Sequence, residues 1–171
     1  ETSYLMGTRG VAIDLVDERT ETHETFRFPE GLLSFVRHLN ANKTPLHEDI
    51  LHFTKKLNAP VKDGGAEYEV EIALQYTDAY QESVFTFANN INTQGGGTHL
   101  SGFRSALTRT LNHYAKSAKL VKENEKPLTG EDFREGLTAI VSVKLRNPQF
   151  EGQTKDKLGN READGVVATM L

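Results

Sequence analysis

The ten residues Glu67–Tyr76 (EYEVEIALQY) place Tyr68, Val70, Ile72, Leu74 and Tyr76 on one parity and Glu69, Glu71, Ala73 and Gln75 on the other. In an extended chain, alternate side chains point to opposite faces. This is therefore a β-strand with one apolar and one wet face. A turn at Gly64-Gly65 precedes it. Beyond Thr77–Tyr80, the run Glu82–Asn89 (ESVFTFAN) is expected to fold back as its antiparallel hairpin partner.

Upstream, Val11–Val16 and Glu24–Phe28 read as strands, the second ended by Pro29-Glu30-Gly31. Leu32, Leu33, Phe35, Val36 and Leu39 have helical spacing across Gly31–Asn40; a turn (Asn40–Pro45, NANKTP) and a short strand, Ile50–Phe53, follow. Downstream, Asn89-Asn90 and Gly95-Gly96-Gly97 lead into a long helix starting near Thr98. Leu100, Phe103, Leu107, Leu111 and Tyr114 form its apolar stripe, and Arg109, His113 and Lys116 lie opposite. Arg104 falls about 40° from Leu100, on the shoulder of that stripe. Glu123–Pro127 is a polar linker, and Thr129 suits a helix N-cap with Glu131 and Asp132 in the first turn. Thr138–Leu145 is a strand with Ala139, Val141, Val143 and Leu145 on one face, stopped at Asn147-Pro148. A polar loop, Glu151–Asn160 (EGQTKDKLGN), precedes a last helix from about Arg161. Strands mixed with two or three helices make an α+β domain.

At 171 residues, 37% hydrophobic and 26% charged, the chain fits one folded domain, residues 1–171. It has no cysteine, which excludes a disulfide framework, a thiolate metal site and a thiol nucleophile. No apolar run nears the roughly 18 residues that span a bilayer, so a cytoplasmic protein without a membrane partner is expected. The chain opens at Glu1 rather than a methionine, and a segment of a longer protein is expected. Net charge is −4, yet Leu100–Lys122 holds Arg104, Arg109, Lys116, Lys119 and Lys122 with no acid. That stretch sums to +5 and leaves −9 for the remainder. It is either a face for a polyanion or a solvated helix surface balanced by acids elsewhere.

No complete catalytic centre is visible. Gly95–Gly97 before a helix can present amides to a phosphate, but it is neither a Walker loop nor a dinucleotide fingerprint, and glycines also serve a tight turn. The six histidines lack metal-ligand spacing, so no metal site is expected. The loop Gln153-Thr154-Lys155-Asp156-Lys157 can deliver an amide and a cation to an external phosphate, or simply be solvated.

Three segments carry more: Thr93–Asn112 (TQGGGTHLSGFRSALTRTLN), Ile140–Asn160 (IVSVKLRNPQFEGQTKDKLGN) and Glu67–Asn90. Together they resemble the transducer domain of the DNA gyrase B family of type IIA topoisomerases, chiefly through GGTH-x-x-GFR and QTK-x-KL. The likeness runs from about Gly10 to the end. It implies a mixed sheet with helices on one face, like the second domain of the small-subunit ribosomal protein five family, with a left-handed crossover against the usual rule. It implies that Gln153 and Lys155 reach the ATP γ-phosphate in an adjacent ATPase domain, Lys155 stabilising the transferred group. It further implies that Arg104 lines the cavity holding a DNA duplex, with Arg109 expected to share that DNA-facing surface.

The implied function is that of an energy-transducing domain of an ATP-dependent, negatively supercoiling topoisomerase, coupling phosphate state to closure of a clamp on DNA. ATP with Mg2+ would be bound by the longer protein, not by this chain, which is expected to be inactive alone. Gyrase A and a second copy of gyrase B are the implied protein partners. The loop Glu151–Asn160 is expected to be mobile or held by an incidental contact, and the final helix truncated at Leu171. Two other readings remain: a stand-alone nucleic-acid-binding module using residues 100–122, and a small-molecule kinase with Gly95–Thr98 as its phosphate loop.

Overall fold

The computed structural model describes residues 1–59, 65–122 and 125–171. The turn expected to begin at Gly64 and the linker expected to begin at Glu123 thus fall partly outside the described residues. Strand β4 (Glu67–Tyr76) has the bounds that its alternation predicts. It pairs antiparallel with β3 (Leu51–Asn58) on one side and β7 (Leu137–Leu145) on the other. Strand β5 (Ser83–Ala88) runs parallel to β7, and β6 (Ile91–Asn92) closes the far edge, giving the mixed order β3-β4-β7-β5-β6.

The hairpin expected between 67–76 and 82–89 therefore does not form. The edge of β4 that β5 would need is taken by β7, eight of whose nine residues are buried. A strand buried on both faces belongs in the middle of a sheet, and placing it there displaces β5 to its other side.

Helices cover both faces of the sheet, not one. On the first face, α3 (Thr98–Ser117) and α4 (Glu162–Ala168) lie over Tyr68, Val70, Ile72, Val141 and Val143. On the second, α1 (Thr2–Leu5) and α2 (Leu32–Leu39) close over Ala73, Phe87 and Ile140. The strand pattern hides this second layer because β4 contributes to it only the small Ala73 and the polar Gln75, which is buried and accepts a bond from Asn40 at the end of α2.

Helix α3 begins at Thr98 as expected, but its buried line is shifted. Phe103 and Leu107 are buried and Leu100 and Leu111 pack at the margin, whereas Tyr114 is 61% exposed. Gly102 and Ala106 share the buried side because α4 crosses there: a Cβ on Gly102 would lie 2.2 Å from the Asp164 carbonyl oxygen. The helix expected after Thr129 is a short turn. Thr129 and Asp132 exchange capping bonds of 2.7 and 3.3 Å, but Gly136 (φ 71°) ends the turn before β7. Two small hairpins complete the molecule: β1 (Ile13–Asp17) with β2 (Thr22–Phe26), and β8 (Phe150–Glu151) with β9 (Lys157–Leu158). Among the described residues no helix is long and apolar enough to cross a membrane.

Candidate functional site

Gln153 and Lys155 stand at the exposed tip of the β8–β9 hairpin, whose strands are joined through residues 152–156. Two backbone departures make so short a turn: Gly152 at φ 84° and Lys155 at φ 59°. The second is unusual for a residue with a side chain and costs energy that surrounding structure must offset. The Gly152 carbonyl accepts the Lys155 amide at 3.4 Å, and Lys157 pairs with Glu151 across the strands at 3.0 Å.

Rather than a free loop, this is a hairpin with a fixed base. Gly95 N–H donates to the Asp156 carbonyl (2.9 Å), and Leu158 N–H donates to the Gly96 carbonyl (3.1 Å). The Leu158 side chain is fully buried. Asn160 then ties the base to α4 and β4. Its Oδ1 accepts the Gln149 amide (2.7 Å), its Nδ2 donates to Glu162 (3.0 Å), and the same Glu162 oxygen accepts the Tyr68 hydroxyl (2.8 Å). Burial, reinforced by Glu162, raises the Tyr68 pKa, so the phenol stays a donor. Burial pushes Glu162 upward, but the bonds from Asn160, its own amide and Tyr68 leave it below the usual carboxylate range.

The phosphate-loop reading of Gly95–Gly97 is not supported by these contacts. The Gly95 amide is taken by Asp156 and the Gly96 amide by the Thr93 carbonyl, so neither is free to cradle an anion. Behind the loop, His99 is fully buried, with Nε2 3.2 Å from Thr93 Oγ1, and Thr93, just after β6, exchanges bonds with Thr86 of β5. Burial lowers the His99 pKa to about 4, making it a neutral packing histidine. Among the described residues no group of three or more His, Cys, Asp or Glu side chains is arranged to hold a metal ion.

Arg104 and Arg109 meet, away from the hairpin tip, in a shallow groove of about 410 Å3 that also includes Thr108, Asn112 and Arg134. Both arginines are already engaged. Arg104 donates to Glu82 at 2.5 Å, and Arg134 reaches the other Glu82 oxygen at 2.9 Å. Arg109 donates to the last carbonyl of α4, Ala168, at 3.2 Å. The acid-free run of α3 is thus countered at its shoulder by an acid 22 positions earlier. The sequence contains both residues but no local signal that they meet; the Asn160 cluster was hidden for the same reason.

A family model for DNA gyrase B matches residues 31–171. The chain belongs to the DNA gyrase B family. The DNA gyrase B protein of Clostridium acetobutylicum is 52% identical over 163 residues, covering 95% of this chain and 24% of that protein. The chain thus spans about a quarter of the length of the curated relatives it matches. Among solved structures, the 43K ATPase domain of Thermus thermophilus gyrase B in complex with an aminocoumarin aligns with a TM-score of 0.82 at 38% identity, covering 98% of this chain and 42% of that one. The topoisomerase IV ATP-binding domain of Francisella tularensis shares the fold, with a TM-score of 0.69 at 24% identity over 98% of this chain and 42% of that one.

Proposed function

We propose that this chain is the energy-transducing domain of a gyrase-type topoisomerase. In this reading the tip of the β8–β9 hairpin contacts the γ-phosphate of ATP held by an adjacent ATPase domain. The observation that carries the reading is the tip itself: an amide (Gln153) and an unshielded cation (Lys155) presented outward on a base fastened to the core. Such a pair suits three anionic oxygens arriving from another domain. It is not a nucleotide pocket, so ATP and Mg2+ would be held mainly by that neighbour. What bound nucleotide supplies is the phosphoryl group; what this chain supplies is a positioned donor and a charge.

The sheet connectivity supports the ribosomal-protein-like domain type. The link from β5 to the parallel β7 passes through α3. The Val143 carbonyl accepts the Asn89 amide on the β5 side at 2.9 Å, while its side chain packs in the α3 layer. For an L-residue, that combination sets β7 to the left of β5 when seen from α3 with both strands pointing up. This is the sense of a left-handed crossover.

Loss of the γ-phosphate would release the hairpin, and the domain would report that change to a clamp around DNA. Arg104 at the groove would face the duplex through phosphate contacts, with Arg109 beside it. Gyrase A, a second copy of gyrase B and a cytoplasmic setting belong to the same reading, as does inactivity of the chain by itself. The kinase reading has less support, because the Gly95 and Gly96 amides are already bonded; the stand-alone DNA-binding reading uses the same arginines but leaves the Gln153–Lys155 tip without a role.

The test is steady-state ATP hydrolysis by this chain fused behind a gyrase-type ATPase domain, with and without Lys155→Ala. Removing a positioned donor is expected to lower kcat by about a hundredfold or more with nucleotide affinity retained. Unchanged hydrolysis would overturn the reading.

A further inference from the structure

The β8–β9 hairpin has only two residue pairs, Phe150↔Leu158 and Glu151↔Lys157. Two-stranded ribbons are marginal even when much longer. The direction in which its tip points must therefore be set from outside the hairpin, and of the elements that hold its base the glycine loop 95–97 bonds nearest to Lys155. Gly95 N–H bonds the carbonyl of Asp156, the residue directly after Lys155, and Leu158 N–H bonds Gly96. Gly97 forms an isolated parallel bridge with Leu158.

We propose that the loop 95–97 is the seat that aims Gln153 and Lys155, with Gly97 and Leu158 as positioning residues for the phosphate contact. This rests on the reading of Gln153 and Lys155 as γ-phosphate ligands.

A tight turn alone would account for the positive φ of Gly96 and Gly97, 72° and 131°. It does not account for the approach distances. A Cβ on Gly97 would lie 2.3 Å from the Leu158 carbonyl oxygen and 2.6 Å from its nitrogen, backbone atoms that cannot swing aside. A Cβ on Gly95, whose φ is not positive, would lie 3.2 Å from the Asp156 carbonyl oxygen. At Gly97 the requirement for glycine comes from the hairpin as well as from the turn, and at Gly95 the crowding comes from the hairpin alone. The seat is itself held from beneath. His99 and Thr93 bond behind it, and the Leu158 side chain enters the core beside Phe103 and Ala163. Any displacement of residues 156–158 is thus carried into the backbone next to Lys155 without a flexible link between.

The experiment compares Gly97→Ala, Gly95→Ala and Leu158→Ala with Lys155→Ala in the full-length protein. It reads kcat, nucleotide affinity, melting temperature and hydrogen exchange at the Leu158 amide. A misplacement on the order of 1 Å at a reacting group costs about a hundredfold. Gly97→Ala is therefore expected to approach the loss in Lys155→Ala, with nucleotide affinity unchanged and the Leu158 amide exchanging faster. Gly95→Ala should move both readouts the same way by less. If Gly97→Ala fails to fold, Gly95→Ala carries the test, since the φ of Gly95 lies outside the region that favours glycine. Wild-type kcat in the folded glycine variants, alongside a loss in Lys155→Ala, would overturn the seat while leaving the phosphate reading intact. An inert Lys155→Ala would overturn the phosphate reading and this proposal with it.

Discussion

The hairpins β1–β2 and β8–β9 both stand off the central sheet, yet they are held in opposite ways. The first has five residue pairs and the second two. By length the first should be the firmer element. Instead it leaves Ile13, Leu15 and Val16 between 38% and 62% exposed, and its side-chain ties are polar surface contacts: Arg19 with Asp17 at 2.8 Å and Thr25 with Asp14 at 2.6 Å. The second buries Leu158 completely and lends backbone groups to a loop more than fifty residues earlier. The hairpin lying within the residues matched to the gyrase B family, 31–171, is the anchored one. Strand length therefore does not decide how firmly a ribbon is held; the partners its ends find do.

The largest expected effect separates the two directly. Leu158→Ala removes a fully buried side chain, and large-to-small changes of this kind destabilise by about 2–5 kcal/mol. Urea unfolding of wild type and variant measures it. A loss under about 1 kcal/mol would mean that the anchored hairpin is held by its backbone bonds alone.

Which of these features could be read beforehand depended on how local their causes are. Strand β4 was legible to the residue because alternation is a property of ten consecutive positions. The start of α3 was legible for the same reason. The partner of β5 was not, since a parallel neighbour more than fifty residues later leaves no mark on the strand itself. The buried side of α3 differs from the large-residue stripe, since Tyr114 is exposed while Gly102, which meets Asp164 of α4, and Ala106 are buried, and a search for large apolar residues passes over both. At the candidate site, the QTK motif gave Gln153 and Lys155, but the reason for Gly95 and Gly97 lay in Asp156 and Leu158. Chemistry at a tip is written in its own residues; its support is written elsewhere.

The support under the anchored hairpin should also respond to acid. The pKa of His99 in the folded protein, about 4, lies below its ordinary 6.5. The unfolded chain takes up a proton as pH falls through 6.5, while the folded chain resists until about 4. Stability is therefore full above 6.5 and falls across that window, by about 3 kcal/mol at most. Urea midpoints from about pH 7 to pH 4 should decline, and His99→Asn should flatten this part of the decline. An equal decline in the variant would place the acid sensitivity elsewhere.

A smaller effect tests the cross-strand pair of the anchored hairpin. Lys157 and Glu151 are both about half exposed, so Glu151→Gln should cost less than about 1 kcal/mol, fading at high salt. A larger, salt-independent loss would make this ion pair, and not the glycine seat, the principal support of the tip.

The smallest effect is expected in the unanchored hairpin. Leu15 is 56% exposed and lies opposite Glu24, so truncating it opens no cavity and uncovers no buried polar group. Leu15→Ala should change the stability of this chain to urea by no more than about 0.5 kcal/mol, the usual range for surface substitutions. Because Leu15 and Leu158 are both leucines on two-stranded ribbons, the pair of variants holds side-chain chemistry constant and varies burial alone. Similar losses at the two positions would show that β1–β2 is covered in solution, and the contrast between the hairpins would fail. A loss confined to Leu158 would attribute the difference to the core contacts of β9, since the longer ribbon has the more regular pairing and still gains nothing from its leucine.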